Sequence, residues 1–208
     1  MIRPRITLER TLLAAGVATV AGLDEAGRGA WAGPLVAGAV ALSADTLAAA
    51  GRLARLVRDS KTLTAGQRER AYAHLTRILP WAVGAVTAEE IDRWGVTAAN
   101  RHALARAAQA LPTAADFLLV DGRGFRFPWP HRQIVDGDAT VFCIAAASII
   151  AKVTRDRLMV AFCRQYPGYG FRRHRGYGTP EHQTALDRLG CCPIHRRSYQ
   201  PMAAALAA

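Results

Sequence analysis

Lysine is nearly absent from this chain. Only Lys61 and Lys152 stand among 27 basic residues, and the rest are arginines. Acidic residues are also few, 16 in 208, which leaves a formal charge of +11. An excess of that size points to a polyanionic partner, and the guanidinium fork matches phosphate oxygens. A skewed base composition would enrich Arg and Ala together, but by itself it does not produce the charge. The four cysteines (Cys143, Cys163, Cys191 and Cys192) include no C-x-x-C pair, which excludes the common zinc sites. Cys143 and Cys163 read as core residues of an apolar helix, Cys191 and Cys192 as incidental, and the thiols as reduced in a cytoplasmic protein. No apolar run reaches the ~18 residues of a membrane span, so no membrane partner is expected. Loops of the Walker or Rossmann type are missing too, which argues against a nucleotide-dependent small-molecule enzyme. Residues 11–23, behind Arg3, Arg5 and Arg10, loosely imitate a secretory leader. Glu9 and a strand-like run through Ala21 oppose export.

What remains is an ordinary globular composition, half hydrophobic and a fifth charged, long enough to bury a core without disulfides. Residues 17–23 read as a buried strand entering a glycine loop. Residues 34–42, 81–86, 117–120 and 133–135 read as four further strands. A helix is expected over 64–79, with Thr64 as its N-cap, and another over 97–111. A long helix follows over 139–166, and a short one opens at Thr179-Pro180 and closes at Gly190. The pattern predicts an α/β sheet flanked by helices, with a catalytic domain over 1–166 and a small helical segment over 167–208.

Three acidic places are informative. Asp24-Glu25 directly follows the first strand, Asp121 ends the fourth, and Asp138 stands before the long helix. Strand ends are where α/β folds build their sites. If the first and fourth strands are neighbours, Asp24 and Asp121 share one crevice and Asp138 reaches it. Gathered carboxylates repel unless hard cations such as Mg²⁺ sit among them, and two such ions would serve phosphodiester hydrolysis. Taken alone, Asp121-Gly122 reads first as a turn and Asp138 as a helix cap. Successive strand residues point to opposite faces, so Asp24 and Glu25 serve one site only if the backbone bends, as Gly27 and Gly29 permit.

Gly22-Leu-Asp-Glu-Ala-Gly-Arg-Gly29 followed by Ala32-Gly-Pro34 resembles the opening signature of ribonuclease HII, the bacterial type 2 ribonuclease H family. The likeness continues, in the family's order, through Asp59-Ser60-Lys61, Val120-Asp121-Gly122, Gly137-Asp138 and Ala145-Ala-Ala-Ser-Ile149. It extends through Ala151-Lys-Val-Thr-Arg-Asp156, His174-Arg-Gly-Tyr-Gly-Thr179 and His195-Arg-Arg-Ser198, covering nearly the whole chain. The resemblance implies a ribonuclease H-like fold with a mixed five-stranded sheet and a small helical C-terminal appendage. It implies a four-carboxylate site of Asp24, Glu25, Asp121 and Asp138 that takes Mg²⁺ or Mn²⁺. The implied activity is endonucleolytic cleavage of RNA in RNA–DNA hybrids, and 5′ of single ribonucleotides in duplex DNA, by two-metal hydrolysis leaving 3′-hydroxyl and 5′-phosphate ends. It further implies that Gly27, Arg28 and Gly29 approach the 2′-hydroxyl, which separates RNA from DNA, and that Tyr177 packs on the neighbouring deoxyribose. Ser60, Lys61, Ser148, Lys152, Arg155 and Arg196 would contact substrate. Ser148 and Lys152 share a helix face at i and i+4, with Arg155 nearby. Arg172, Arg173, Arg175, Arg196 and Arg197 would form a basic surface that positions the duplex, and the protein is expected as a monomer. Departures from the family pattern are Asp136, where many members carry Lys, Arg175 for the usual Lys, and Ala30-Trp31, whose bulk would shift the duplex.

Overall fold

The computed structural model describes residues 3–200 and 202. The chain runs α1 (Thr7–Ala14), β1 (Val20–Ala26), β2 (Leu35–Leu42), α2 (Ala44–Leu53), α3 (Ala65–Ile78), β3 (Trp81–Val86), α4 (Ala88–Trp94) and α5 (Val96–Gln109). It continues through β4 (Phe117–Asp121), β5 (His131–Ile134), α6 (Gly137–Thr140), α7 (Phe142–Gln165), α8 (Phe171–His174) and α9 (Pro180–Leu189). The expected five strands are all present and form one mixed sheet in the order β3-β2-β1-β4-β5. β1 pairs antiparallel with β2 and parallel with β4. Helices α1, α2, α4 and α8 go beyond the expected elements. None of the described helices is long and apolar enough to cross a membrane.

The sheet is covered on both faces, α7 on one and α5 on the other, so every residue of β2 is buried and the strand reads as continuous apolar sequence. The helices lie directly on the strands because glycines leave room. A Cβ on Gly22 would stand 2.2 Å from the Cys143 carbonyl carbon of α7, and one on Gly38 2.3 Å from the Ala147 oxygen. On the other face, a Cβ on Gly84 would meet the Ala103 oxygen of α5 at 2.2 Å. A small third core of Tyr169, Phe171, Ala185 and Cys192 lies after α7 and takes in Ala32 and Met159.

The expected long helix over 139–166 is two helices. Val141 is extended (φ −115°, ψ 126°) because it is stitched to the N-terminal segment. Arg5 N–H donates to Thr140 O at 2.9 Å, and Phe142 N–H donates to Arg5 O at 3.1 Å. Asp138 therefore lies inside the short α6 and does not cap the long helix. The residue before α6 is Asp136, left-handed at φ 53°.

Glu9 secures this junction. It is fully buried, and its Oε1 accepts the Cys143 N–H at 2.8 Å, one of the orphan amides of the first turn of α7. Burial raises its pKa against the pull of that amide, while Oε2 is buried without a partner. Glu9→Ala is expected to lower stability by about 1–2 kcal/mol, the usual cost of a lost cap. The midpoint of urea unfolding would report it, and an unchanged midpoint would show that the contact does not hold α1 to α7.

Candidate active site

β1 pairs with β2 as far as Ala26, but with β4 only as far as Leu23↔Val120. Beyond that register the sheet splits, and Asp24 and Glu25 border the gap on one side with Asp121 on the other. The backbone does not bend between Asp24 and Glu25, since ladder pairing continues through both. They leave opposite faces of the strand and meet around its open edge. A cavity of about 470 Å³ fills the split, lined by Asp24, Glu25, Gly27, Arg28, Gly29, Ser60, Lys61, Asp121, Ser148, Lys152 and Tyr177 among others.

The carboxylates sense one another. Burial, then Glu25, Asp121 and Asp138, push the Asp24 pKa well above the carboxylate range, with the Ser148 hydroxyl pulling the other way. Glu25 is raised by burial and Asp121, and is held down by the Asn100 side chain and Arg28. Asp121 is raised by burial and Asp138, although its Oδ1 accepts the Gly137 N–H at 2.7 Å. Asp121 is the last residue of β4 rather than part of a turn: Gly122, at φ +88°, still donates its N–H to Ile134 O of β5 at 2.9 Å before the chain bends away. Asp138, 5 % exposed, receives the Lys61 ammonium at 3.2 Å. Burial opposes that charge, but Asp138, Asp59 and Asp24 raise the Lys61 pKa.

Among the described residues, no three His, Cys, Asp or Glu side chains are already gathered into a metal-holding group. The donor chemistry nevertheless fits a hard cation: Asp24, Glu25, Asp121 and Asp138 offer only oxygens, and their mutual repulsion favours positive charge among them. Lys61 now supplies part of that charge.

The remaining expected residues divide. Ser60 and Ser148 are buried and share a hydrogen bond of 2.9 Å at the cavity floor. Lys152 lines the cavity, pairs with Asp156 at 2.8 Å, and has its ammonium 5.8 Å from the Tyr177 ring centre. Arg155 and Arg196, expected to contact substrate phosphates, do not reach the surface. Both are 0 % exposed and bind backbone carbonyls. Of the other arginines expected on the basic surface, Arg172, Arg173 and Arg197 are exposed, with Arg173 paired to Glu181. Arg175 is half-buried, 3.7 Å from Asp156. Trp31 packs against Gly178, where a Cβ would come within 2.2 Å of the ring, and against His182 at 5.4 Å.

Two features lie outside the expected set. Asn100 is fully buried on α5 beneath Glu25. It shares the buried stripe of Ala103, Leu104 and Ala107, so the helical period alone marks it as a polar residue facing inward. The second is a cluster of three histidines under the Tyr177 turn. His182 donates from Nδ1 to Tyr177 O at 3.0 Å and accepts at Nε2 from His195 Nε2 at 3.1 Å. His195 Nδ1 accepts the Cys192 N–H at 2.9 Å. His174 stacks on His182 at 4.4 Å, donates from Nε2 to Tyr169 O at 2.7 Å and accepts the Gly176 N–H at 3.2 Å. At His182 these partners fix the tautomer, with Nδ1 donating and Nε2 accepting. Burial pushes His182 down to about 4 and lowers His195.

At His182 the unfolded chain therefore takes up its proton first as pH falls, so the stabilisation His182 contributes is complete above about 6.5 and fades toward about 4. His182→Gln removes that titration. The gap in melting temperature between wild type and His182→Gln is expected to be widest at pH 7.5 and to close by several degrees near pH 5. A gap independent of pH would mean that His182 is not held neutral.

The ribonuclease HII family model matches residues 21–202. Ribonuclease HII of Chloroflexus aggregans is 49% identical over 203 residues, spanning 96% of this chain and 94% of that protein. Ribonuclease HII of Rhodococcus opacus is 47% identical over 204 residues, spanning 96% and 88%. The crystal structure of ribonuclease H2 from Pyrococcus horikoshii superposes with a TM-score of 0.76 at 29% identity, covering 90% of this chain and 96% of that one. The split sheet with its carboxylates is thus set in a ribonuclease H fold, and the chain belongs to the ribonuclease HII family of endoribonucleases.

Proposed function

We propose that this enzyme hydrolyses the RNA strand of RNA–DNA hybrids and cuts duplex DNA on the 5′ side of a single embedded ribonucleotide, leaving 3′-hydroxyl and 5′-phosphate ends. One observation carries the reading: the carboxylates Asp24, Glu25 and Asp121 line the same cavity as the Gly27-Arg28-Gly29 loop and Tyr177. Phosphate chemistry and ribose reading then take place at one nucleotide. Asp24, Glu25, Asp121 and Asp138 would hold Mg²⁺ or Mn²⁺, which when bound supply positive charge to the phosphate and activate water by the two-metal route. Gly27, Arg28 and Gly29 meet the sugar. Tyr177, 36% exposed, offers its ring to the neighbouring deoxyribose. Lys61, Lys152, Ser60 and Ser148 line the phosphate path, and the exposed arginines make binding salt-dependent without reading sequence. The enzyme acts as a cytoplasmic monomer on this reading.

The test is a labelled DNA duplex with one ribonucleotide, incubated with protein and Mg²⁺ or Mn²⁺. Cleavage 5′ of the ribonucleotide, absent from an all-DNA duplex and abolished by chelator, supports the reading. Folded protein that cuts neither this duplex nor a long hybrid with either metal overturns it.

A further inference from the structure

Arg155 and Arg196 are two guanidiniums placed where phosphate cannot reach. Among the described residues neither forms a salt bridge. Burial of a charge without an acidic partner is costly. It lowers both pKa values, Arg155 to about 10, where the charge of Arg196 adds to the effect of burial. The contacts show what offsets that cost. Arg196 donates from Nε and Nη2 to Gly33 O at 3.1 and 3.0 Å, from Nη2 to Gly27 O at 2.7 Å, and from Nη1 to Arg28 O at 2.9 Å and Tyr199 Oη at 3.1 Å. Tyr199 O–H in turn donates to Arg28 O at 2.7 Å. Arg155 donates to Pro34 O at 2.9 Å and Ala32 O at 3.2 Å. Its side chain also lies directly under Gly27, where a Cβ would stand 1.9 Å from Nε. The two arginines thus gather the carbonyls of the stretch from Gly27 to Pro34.

That arrangement has a geometric consequence. No peptide among the described residues is cis, and in a planar trans peptide the C=O and the following N–H point in opposite directions. With Gly27 O and Arg28 O drawn inward, the N–H groups of Arg28 and Gly29 point outward at the cavity these residues line. Neither N–H meets an acceptor among the described residues, and nothing stands within 4 Å of the place a Gly29 Cβ would occupy.

We infer that Arg155 and Arg196 are positioning residues of the ribose-reading loop, holding its carbonyls inside so that the Arg28 and Gly29 N–H groups stand preformed as donors to the sugar 2′-hydroxyl oxygen. The inference rests on the function proposed above. Donors fixed before substrate arrives need no reorganisation on binding. Lysine cannot substitute, because a single ammonium on a flexible stem does not span the Gly27, Arg28 and Gly33 carbonyls together.

Arg196→Lys and Tyr199→Phe separate this role from phosphate contact. Cleavage of the single-ribonucleotide duplex is measured with Mn²⁺. Binding of that duplex and of its all-DNA counterpart is measured in chelator across a salt series. Arg196→Lys is expected to lower kcat at least tenfold and to reduce the binding preference for the ribonucleotide, with the slope of log affinity against log salt unchanged. Arg196→Gln, which removes the charge, makes the slope diagnostic: a residue on phosphate would lose about one unit of it, and such a loss overturns the inference, as does an unchanged rate and preference in Arg196→Lys. Should Arg196→Lys fail to fold, Tyr199→Phe decides. A threefold or greater loss of preference supports the inference, and full retention overturns it. Wild-type protein that binds but cuts nothing sinks the functional reading instead, and the binding preference then decides the inference by itself.

Discussion

Asp24→Asn protein is expected to cut ribonucleotide-containing duplex ~10³-fold more slowly than wild type and yet to melt at a higher temperature in chelator. Asp24 is 5% exposed, and its charge is opposed by burial and by Glu25, Asp121 and Asp138. Asparagine keeps the acceptor for the Glu25 N–H, which now reaches Oδ1 at 2.7 Å, and removes the charge. Relief of about 1 kcal/mol would raise Tm by roughly 2–4 °C for a chain of this size. The sign in pH follows from the raised pKa: wild type carries the penalty above its shifted value and sheds it as acid neutralises the group. The advantage of the variant should therefore shrink on acidification. Activity moves the other way. Removing one preorganised electrostatic group from an active site costs ~10²–10³-fold, and losing a carboxylate that would hold the catalytic cation should reach the top of that range. Mn²⁺ should raise the Tm of wild type more than that of Asp24→Asn. A variant with lower Tm in chelator would mean that the carboxylates are not in mutual repulsion, and one with near-normal cleavage would remove Asp24 from the site.

Gly38→Ala is expected to destabilise the fold severely, although it adds only a methyl group. Gly38 pairs with Asp24 in the sheet and lies under α7, where the new Cβ would meet Ala147 O at 2.3 Å and Ala151 N at 3.0 Å. Both are backbone atoms, so no side chain can swing aside, and α7 must lift from β1 and β2. Overpacking of this kind costs up to about 3 kcal/mol, a large share of the ~5–15 kcal/mol that holds a domain. The urea midpoint should fall by about 1 M or more, with Ser148 displaced from Asp24 and cleavage reduced alongside. Gly66→Ala is the matched control: it lies in α3 with nothing within 4 Å of its added methyl, and it should stabilise by up to ~1 kcal/mol. Equal behaviour of the two variants would show that α7 is not seated on the glycine floor.

The sheet is readable from the sequence because its strands are short apolar runs ended by charge, glycine or proline. β3 lies over its expected residues, and Thr64 and Gly190 cap α3 and α9 as expected. The break at Val141 is not readable, because its cause is Arg5, distant in sequence and contributing only backbone atoms. Asp24, Glu25 and Asp121 can be picked out by their places at strand ends and Asp138 by its place before the long helix, while their convergence depends on β1 and β4 being neighbours, which pairing alone decides. Arg155 shows the limit most clearly. Two turns from Ser148 and one from Lys152, it looks like a third member of a polar stripe, yet small rotations of α7 separate solvent from the carbonyls of Ala32 and Pro34. Thr87 and Glu90 form a capping box at α4, a local signal sufficient to place that helix. Nothing comparable marks the histidine cluster, which exists only when His174, His182 and His195 are folded together.

Gly27 and the arginine that grips its carbonyl are 169 residues apart in the chain. A ribosome adding about 5–20 residues per second needs roughly 10–30 s to travel that distance. Throughout that interval the first carboxylates and the loop beside them already exist, but the loop has no anchor. On the proposed function, the growing chain then sits against the message and the ribosome, the densest RNA it will meet, with its sugar-reading loop unassembled. On the role inferred for Arg196, so late an anchor couples discrimination between sugars to synthesis of the segment that carries it.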